Sequence, residues 1–304
     1  MTSLMTARSC EELLAGPGEP SPYEYALLFH AEGWLARRRA KARLKFLRAL
    51  DGRLRRLLHP GERVYFLTAG TTTTVAEQFF AGWLAYYYNR RALVFTTERV
   101  LLLQIDQRQR PGVLMSQLAY TAIADLKSTW DRYCQLRLRN GQKLNFAGVP
   151  AADRTYLRTL LADALRVSAP PISGAPQPGI EHLCPHCLQV VAGLPAACPH
   201  CHGGFKSARK AGWLSALFPG LGDLYLGHHG RGVLQLLVGG MAWLGLVVSP
   251  LLSRADPNSG PLPADYWLQT AISLAFLHGL DAAIAYTFAS KGLHPARAAK
   301  VPSF

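Results

Sequence analysis

The sequence predicts a multidomain α+β chain: a small antiparallel β-barrel with a capping helix, a cysteine-bound ribbon, and a C-terminal α-helical transmembrane hairpin with a re-entrant helix. Three observations predict it. Residues 61 to 167 carry seven short β-prone runs followed by a stretch of helically spaced leucines. Two CxxC pairs follow, Cys184-Pro185-His186-Cys187 and Cys198-Pro199-His200-Cys201, with ten residues between them. Beyond Lys206 the chain turns apolar, with two long runs that hold almost no charge. The length of 304 residues allows about two domains, and with 49% apolar against 17% charged residues, part of the chain is expected in lipid.

Residues 1–20 read as a flexible leader. They have no apolar core and contain Pro17 and Pro20, unlike a secretory signal, so the water-facing part is expected in the reducing cytoplasm. Residues 21–60 read as a basic amphipathic helical region. Leu44, Leu47, Leu50, Leu54 and Leu57 recur at steps of three and four, and His59-Pro60-Gly61 ends the pattern. Ten Lys or Arg fall between residues 37 and 56 against the single Asp51, a large share of the net charge of +14. Such a face suits an anionic membrane lipid, at about 1 kcal/mol per basic residue near the surface. The candidate contacts are Arg37, Arg38, Arg39, Lys41, Arg43, Lys45 and Arg48. The competing expectation is a solvated charged face whose leucine stripe packs on the neighbouring domain; nucleic acid ranks a distant third.

The β runs are expected at Val64–Thr68, Ala92–Thr96, Val100–Gln104, Val113–Leu118, Ile123–Thr129, Cys134–Arg139 and Lys143–Ala147. Asn140-Gly141 carries the signature of a type I′ hairpin, and Thr97-Glu98 and Pro111-Gly112 mark other turns. Leu157, Leu160, Leu161 and Leu165 set up a closing helix. Through the stretch from Arg91 to Leu103, residues 61–167 resemble the PH-like or GRAM-like domains of bacteria. That resemblance implies a binding or scaffolding module, which in such domains holds phospholipid headgroups, peptides or other domains. The segment after the first strand departs from the lipid-binding pattern. It runs Thr71 to Thr74 and then Phe79, Phe80, Trp83, Tyr86, Tyr87 and Tyr88, with no Lys or Arg before Arg90. Phe79, Phe80, Trp83 and Tyr87 are the candidate partner-binding aromatics, with core packing the commoner use of such a cluster.

Residues 168–182 form a proline-rich linker, expected to be semi-rigid. In residues 183–204, Cys184, Cys187, Cys198 and Cys201 have the spacing of a closed four-thiolate shell around a structural Zn2+, and they use four of the six cysteines. His186, His200 and His202 are expected just outside it. Metal binding worth roughly 10–16 kcal/mol would fold a segment too short to build a core. Cys10 and Cys134 read as ordinary thiols.

Within residues 205–290, Gly232 to Leu252 runs 21 residues without a charge, and Tyr266 to Phe288 runs 23 residues with only Asp281 charged. Basic residues flank both runs outside the loop that joins them, which places both termini in the cytoplasm of a multi-pass inner-membrane protein. Ala211 to Gly227, broken by Pro219-Gly220, reads as re-entrant or interfacial. Pro219-Gly220-Leu221-Gly222-Asp223-Leu224-Tyr225-Leu226-Gly227, with Arg231 to Leu237 and Leu280-Asp281 downstream, resembles the PGxGxxYxG signature of TM2-like membrane domains, a family of helical hairpins. Asp223, His278 and Asp281 are the intramembrane polar candidates, with helix pairing favoured over an ion or proton path for Asp281. Residues 291–304 form a basic tail.

No phosphate-binding loop, nucleophile elbow or paired-carboxylate arrangement nominates catalytic residues, so an enzyme is not expected. The expectation is a membrane-anchored, cytoplasm-facing adaptor or sensor with a protein or lipid partner, tending to homo-oligomerise. A membrane-tethered nucleic-acid binder and a small transporter or channel component using Asp281 are the alternatives.

Overall fold

In a computed structural model of the chain, the described residues are 21–29, 36–72, 89–128, 133–167, 179–255 and 265–296. The chain divides into two compact units, Met1–Gly193 and Leu194–Phe304.

Among the described residues, the first unit holds a short helix α1 (Tyr25–Leu28) and the long basic helix α2 (Ala36–Leu57). Seven strands follow, each where a β run is expected: β1 (Val64–Thr72), β2 (Arg90–Thr96), β3 (Arg99–Ile105), β4 (Pro111–Ala119), β5 (Ile123–Ser128), β6 (Tyr133–Leu138) and β7 (Lys143–Ala147). The helix α3 (Ala151–Val167) and two short strands, β8 (Glu181–Leu183) and β9 (Val190–Val191), come after them. The strands form one antiparallel sheet in the order β5-β6-β7-β1-β2-β3-β4-β8-β9.

The expected barrel is not closed. The second edge of β4 is taken by β8, through Met115↔Leu183, Ser116↔His182 and Gln117↔Glu181, so that edge is not available to β5. A 3-10 turn at Tyr120–Ala122 carries the chain from β4 to β5 instead. The Asn140-Gly141 turn also differs from expectation. Only Gly141 has a positive φ, of 85°, and Leu138 pairs with Gln142 through its N–H, leaving a three-residue loop. A type I′ turn needs positive φ at both central residues, whereas a three-residue hairpin loop needs one left-handed position, which glycine fills without strain.

The central strands read as continuous apolar runs because both of their faces are covered. Phe66, Leu93, Phe95, Val100, Leu102 and Leu118 face a core completed by β5, β6, β7 and α3. Leu67, Ala92, Val94, Leu101, Leu103 and Met115 face the opposite core, which α2 fills with Leu44, Leu47, Leu50, Leu54 and Leu57. The basic helix thus shares a core with the sheet, its leucine stripe spent on the β-strands. A buried ion pair pins the β2–β3 hairpin to the end of that helix. Glu62 accepts from Thr96 Oγ1 (2.6 Å), Arg99 Nε (3.1 Å), Arg99 Nη2 (2.9 Å) and the His59 amide (2.8 Å). Arg99 Nη2 also donates to the Leu57 carbonyl at 2.7 Å.

The second unit holds α4 (Ala208–Leu217), α5 (Leu221–Leu226), α6 (His229–Ala255) and α7 (Tyr266–Ala289). Ser207 caps α4 by accepting from the Lys210 amide at 3.4 Å. The segment expected to be re-entrant is two helices broken at Pro219-Gly220. At about 1.5 Å per residue, neither crosses a hydrocarbon layer of about 30 Å. Helices α6 and α7 are each long and apolar enough to cross a membrane, over His229–Leu252 and Tyr266–Ala289. Only 12% and 17% of their most apolar windows are buried, unlike the core helices of a water-soluble fold.

Candidate functional site

The two CxxC pairs fold into matching hairpins. Cys184 N–H donates to the Gln189 carbonyl and Leu188 N–H to the Cys184 carbonyl, both at 2.9 Å. Cys198 N–H to Gly203 and His202 N–H to Cys198 repeat both bonds at the same spacing and the same 2.9 Å. The residue before each first cysteine pairs with the residue six after it, Leu183↔Val190 in one hairpin and Ala197↔Gly204 in the other. Leu188 and His202, each just after the second cysteine of a pair, adopt left-handed backbone with φ of 63° and 58°.

The sulfurs of Cys184, Cys187, Cys198 and Cys201 all lie within 4.8 Å of one another. Thiolates at about 2.3 Å from one tetrahedral ion stand roughly 3.8 Å apart, so the set is compatible with a single metal ion. The His186 amide points at Cys184 Sγ, 3.4 Å away. Cys184 and Cys198 are buried, Cys187 half-buried and Cys201 exposed. With four protein ligands and no open position, a metal held here would cross-link the chain rather than activate water.

Of the basic-helix candidates, Arg37, Arg38, Arg39, Lys41, Lys45 and Arg48 are exposed. Arg43 is engaged inward: its guanidinium donates to Asp153 (2.6 Å) and to the Leu28 carbonyl (2.7 Å), and stacks over Phe66. Phe79, Phe80, Trp83 and Tyr87 lie outside the described residues. Burial pushes the Cys134 thiol up to about 11, in keeping with an unreactive core residue.

In the second unit the glycine-rich turn is the hub of helix packing. A methyl group on Gly220 would meet the Gly232 carbonyl at 2.4 Å, and one on Gly222 the Ala211 carbonyl at 2.3 Å. These glycines let α5 touch α6 on one side and α4 on the other. Asp281 of α7 accepts from the Gly220 amide (2.8 Å) and from Gln235 Nε2 of α6 (2.5 Å). Asp223 is fully buried and pairs with Arg231 at 3.0 Å, and the Arg231 guanidinium stacks 4.3 Å from the Phe288 ring centroid. His278 does not reach Asp281. It is held by the Ala216 carbonyl (2.8 Å) and by Trp243 Nε1–H (3.2 Å), partners on α4 and α6 rather than on its own helix. Tyr225 takes the Ser207 amide on its hydroxyl (3.1 Å) and lies under Lys206 and Lys210.

Gln235, the Gly220 amide and Ser215 of α4, whose hydroxyl accepts from the Gly222 amide at 3.2 Å, are the site members that pattern reading missed. The legible signal was Gln235, a polar residue inside an otherwise apolar run.

No known family and no curated protein matches the chain. Among solved structures it is similar to one described as the "Crystal Structure of the Linker-DH/PH domains of p115-RhoGEF", at a TM-score of 0.30 and 10% identity. The likeness covers 45% of this chain and 44% of that one, so the chain spans less than half the length of that structure.

Proposed function

We propose that this chain is a membrane-anchored, cytoplasm-facing adaptor or sensor, in which the sheet unit and a Zn2+ ribbon bind a protein or lipid partner. The observation that carries the reading is the exposed apolar surface of α6 and α7, joined in one chain to a sheet unit whose long helix shows water six basic side chains. Trp213, Leu217, Leu237, Met241, Leu244 and Phe276 are all more than 60% exposed, a surface that lipid covers and water does not tolerate. The PH-like resemblance of residues 61–167 supports a binding role, and the TM2-like signature supports the hairpin. Because the leucine stripe of α2 is buried, any contact of that helix with anionic lipid rests on its charged face alone, and weakens with salt. Gly240 and Gly245 on α6 and Gly279 on α7 face open space, which supports self-association through close helix approach. The bonds from Asp281 to Gly220 and Gln235 favour helix pairing over ion transport for that carboxylate.

The test is purification of the full-length protein from native membranes in mild detergent, beside a Cys184→Ser/Cys187→Ser variant. A defined protein partner lost with the variant supports the adaptor reading. Release from membranes by high salt without detergent overturns the anchor, and protein purified without metal overturns the ribbon.

A further inference from the structure

A cavity of about 380 Å³ lies in the second unit, between the first residues of α4 and the last turn of α7. Phe205, Tyr286 and Leu293 form its apolar side; Lys206, Ser207 and Arg209 form its polar side. The lining holds two cations and no Asp or Glu. We propose that this cavity binds the phosphate-bearing headgroup of an anionic glycerophospholipid, a reading that rests on the membrane anchoring of α6 and α7.

Three features fit that occupant. The first is depth. Tyr286 and Ala289 belong both to the cavity wall and to the last turn of the apolar stretch Tyr266–Ala289, so the cavity opens where the hydrocarbon-facing part of α7 ends. A headgroup sits at that level, and a half-exposed tyrosine is the residue type enriched there. The second is charge. Burial lowers the pKa of Lys206, whose ammonium stands 5.8 Å from the Tyr225 ring centroid; a phosphate beside it would relieve that cost. Arg209 is exposed and Lys210 adjoins it, so the rim stays positive, and the amides opening α4 add the positive end of its dipole. The third is the amphipathic surround. Trp213 and Leu217 on α4 are 77% and 74% exposed, an apolar path along which acyl chains would run from a headgroup held at Lys206. A free phosphate ion would use the cations and leave this path bare. The volume is that of a small-molecule site rather than of a macromolecular groove.

The test uses the full-length protein in mild detergent and measures binding of fluorescent phosphatidylglycerol and phosphatidylcholine of the same chain length. Tighter binding of phosphatidylglycerol is expected, and Lys206→Gln/Arg209→Gln is expected to weaken it by roughly thirtyfold, the equivalent of about 1 kcal/mol for each of two cations. The single variant Arg209→Glu, at an exposed position, is expected to weaken it comparably with no change in monodispersity, which separates loss of the site from loss of the fold. Lys127→Gln/Lys143→Gln, at exposed positions on the strands of the other unit, should leave it unchanged. Equal affinity for the two lipids, or indifference to both cavity variants, overturns the proposal. Displacement of the lipid by millimolar inorganic phosphate overturns the lipid assignment in favour of a soluble phosphate. Failure of the protein to enter vesicles at all overturns the membrane reading instead, and is seen separately by flotation.

Discussion

The buried pair of Glu62 and Arg99 makes the sheet unit answerable to a single carboxylate. Removing it by Glu62→Ala deletes two charge-assisted bonds from Arg99 and two bonds from Thr96 and the His59 amide. All four are charge-assisted, because the acceptor is an ionised carboxylate, and such bonds net roughly 1.5–3 kcal/mol each. The carboxylate regains hydration in the unfolded chain and offsets part of that sum. The arginine left behind, with its side chain 9% exposed, has lost its counter-charge. The expected loss is about 3–5 kcal/mol, the range for breaking a buried pair on one side. Hydrogen exchange on the full-length protein in detergent reads this locally: amides of β2 and β3 should exchange on the order of a hundred- to several-thousand-fold faster. A pH series supplies the sign. Burial pushes the Glu62 carboxyl up, but the bonds from Arg99, Thr96 and the His59 amide outweigh it and hold the carboxyl below the usual range. Its stabilisation is therefore complete above the unfolded value of about 4.3 and is lost as pH falls through the lower folded value. Glu62→Gln should flatten that acid limb. Unchanged β2–β3 exchange in Glu62→Ala would refute the reasoning.

The purified protein should carry one Zn2+ per chain by elemental analysis, and Cys184→Ser/Cys187→Ser should carry none, with loss of protection confined to residues 181–205. His202→Gly should stabilise the second hairpin by about 0.5–1 kcal/mol, because the residue already holds a left-handed φ of 58°; a lower chelator resistance of the variant would count against it. Gly222→Ala forces a methyl to 2.5 Å from Ser215 Oγ and closer still to the Ala211 carbonyl. It should cost roughly 1–3 kcal/mol in detergent melting, whereas Gly52→Ala, in open space on α2, should not destabilise at all. Asp281→Asn keeps an acceptor for the Gly220 amide and should lose about 1 kcal/mol, and Asp281→Ala about 2–3. Proton flux in vesicles that depends on Asp281 would instead reveal a transport role.

Periodicity made the strands of the first unit legible because each run is bounded by turn residues, and β1 to β7 fall where the apolar runs do. It did not show what α2 packs against. Leu44 to Leu57 form the same stripe whether the partner is a sheet or a lipid surface, and only the burial of those leucines against Leu67, Val94 and Leu101 decides. Closure of the barrel was out of reach for a related reason. A strand of three residues, Glu181–Leu183, carries too little pattern to announce that it will occupy the edge of β4. The cysteine ribbon was the most readable part, since ligand spacing is itself geometry. In the second unit the signature glycines and Asp281 were visible but their partners were not. Helix pairing across α4, α5, α6 and α7 depends on which faces meet, and although His278 and Asp281 lie three residues apart on one helix, the bonds of His278 run to α4 and α6.

The bond from the Gly220 amide to the Asp281 carboxylate also fixes an order of events during synthesis. The two residues are 61 positions apart, so at about 5–20 residues per second the turn exists for several seconds before its acceptor is made. Through that interval α5 is held only by the contacts of its own neighbourhood. Arrival of α7 is what locks the unit, and a chain that stops before Asp281 leaves the ribosome with its glycine turn unsealed.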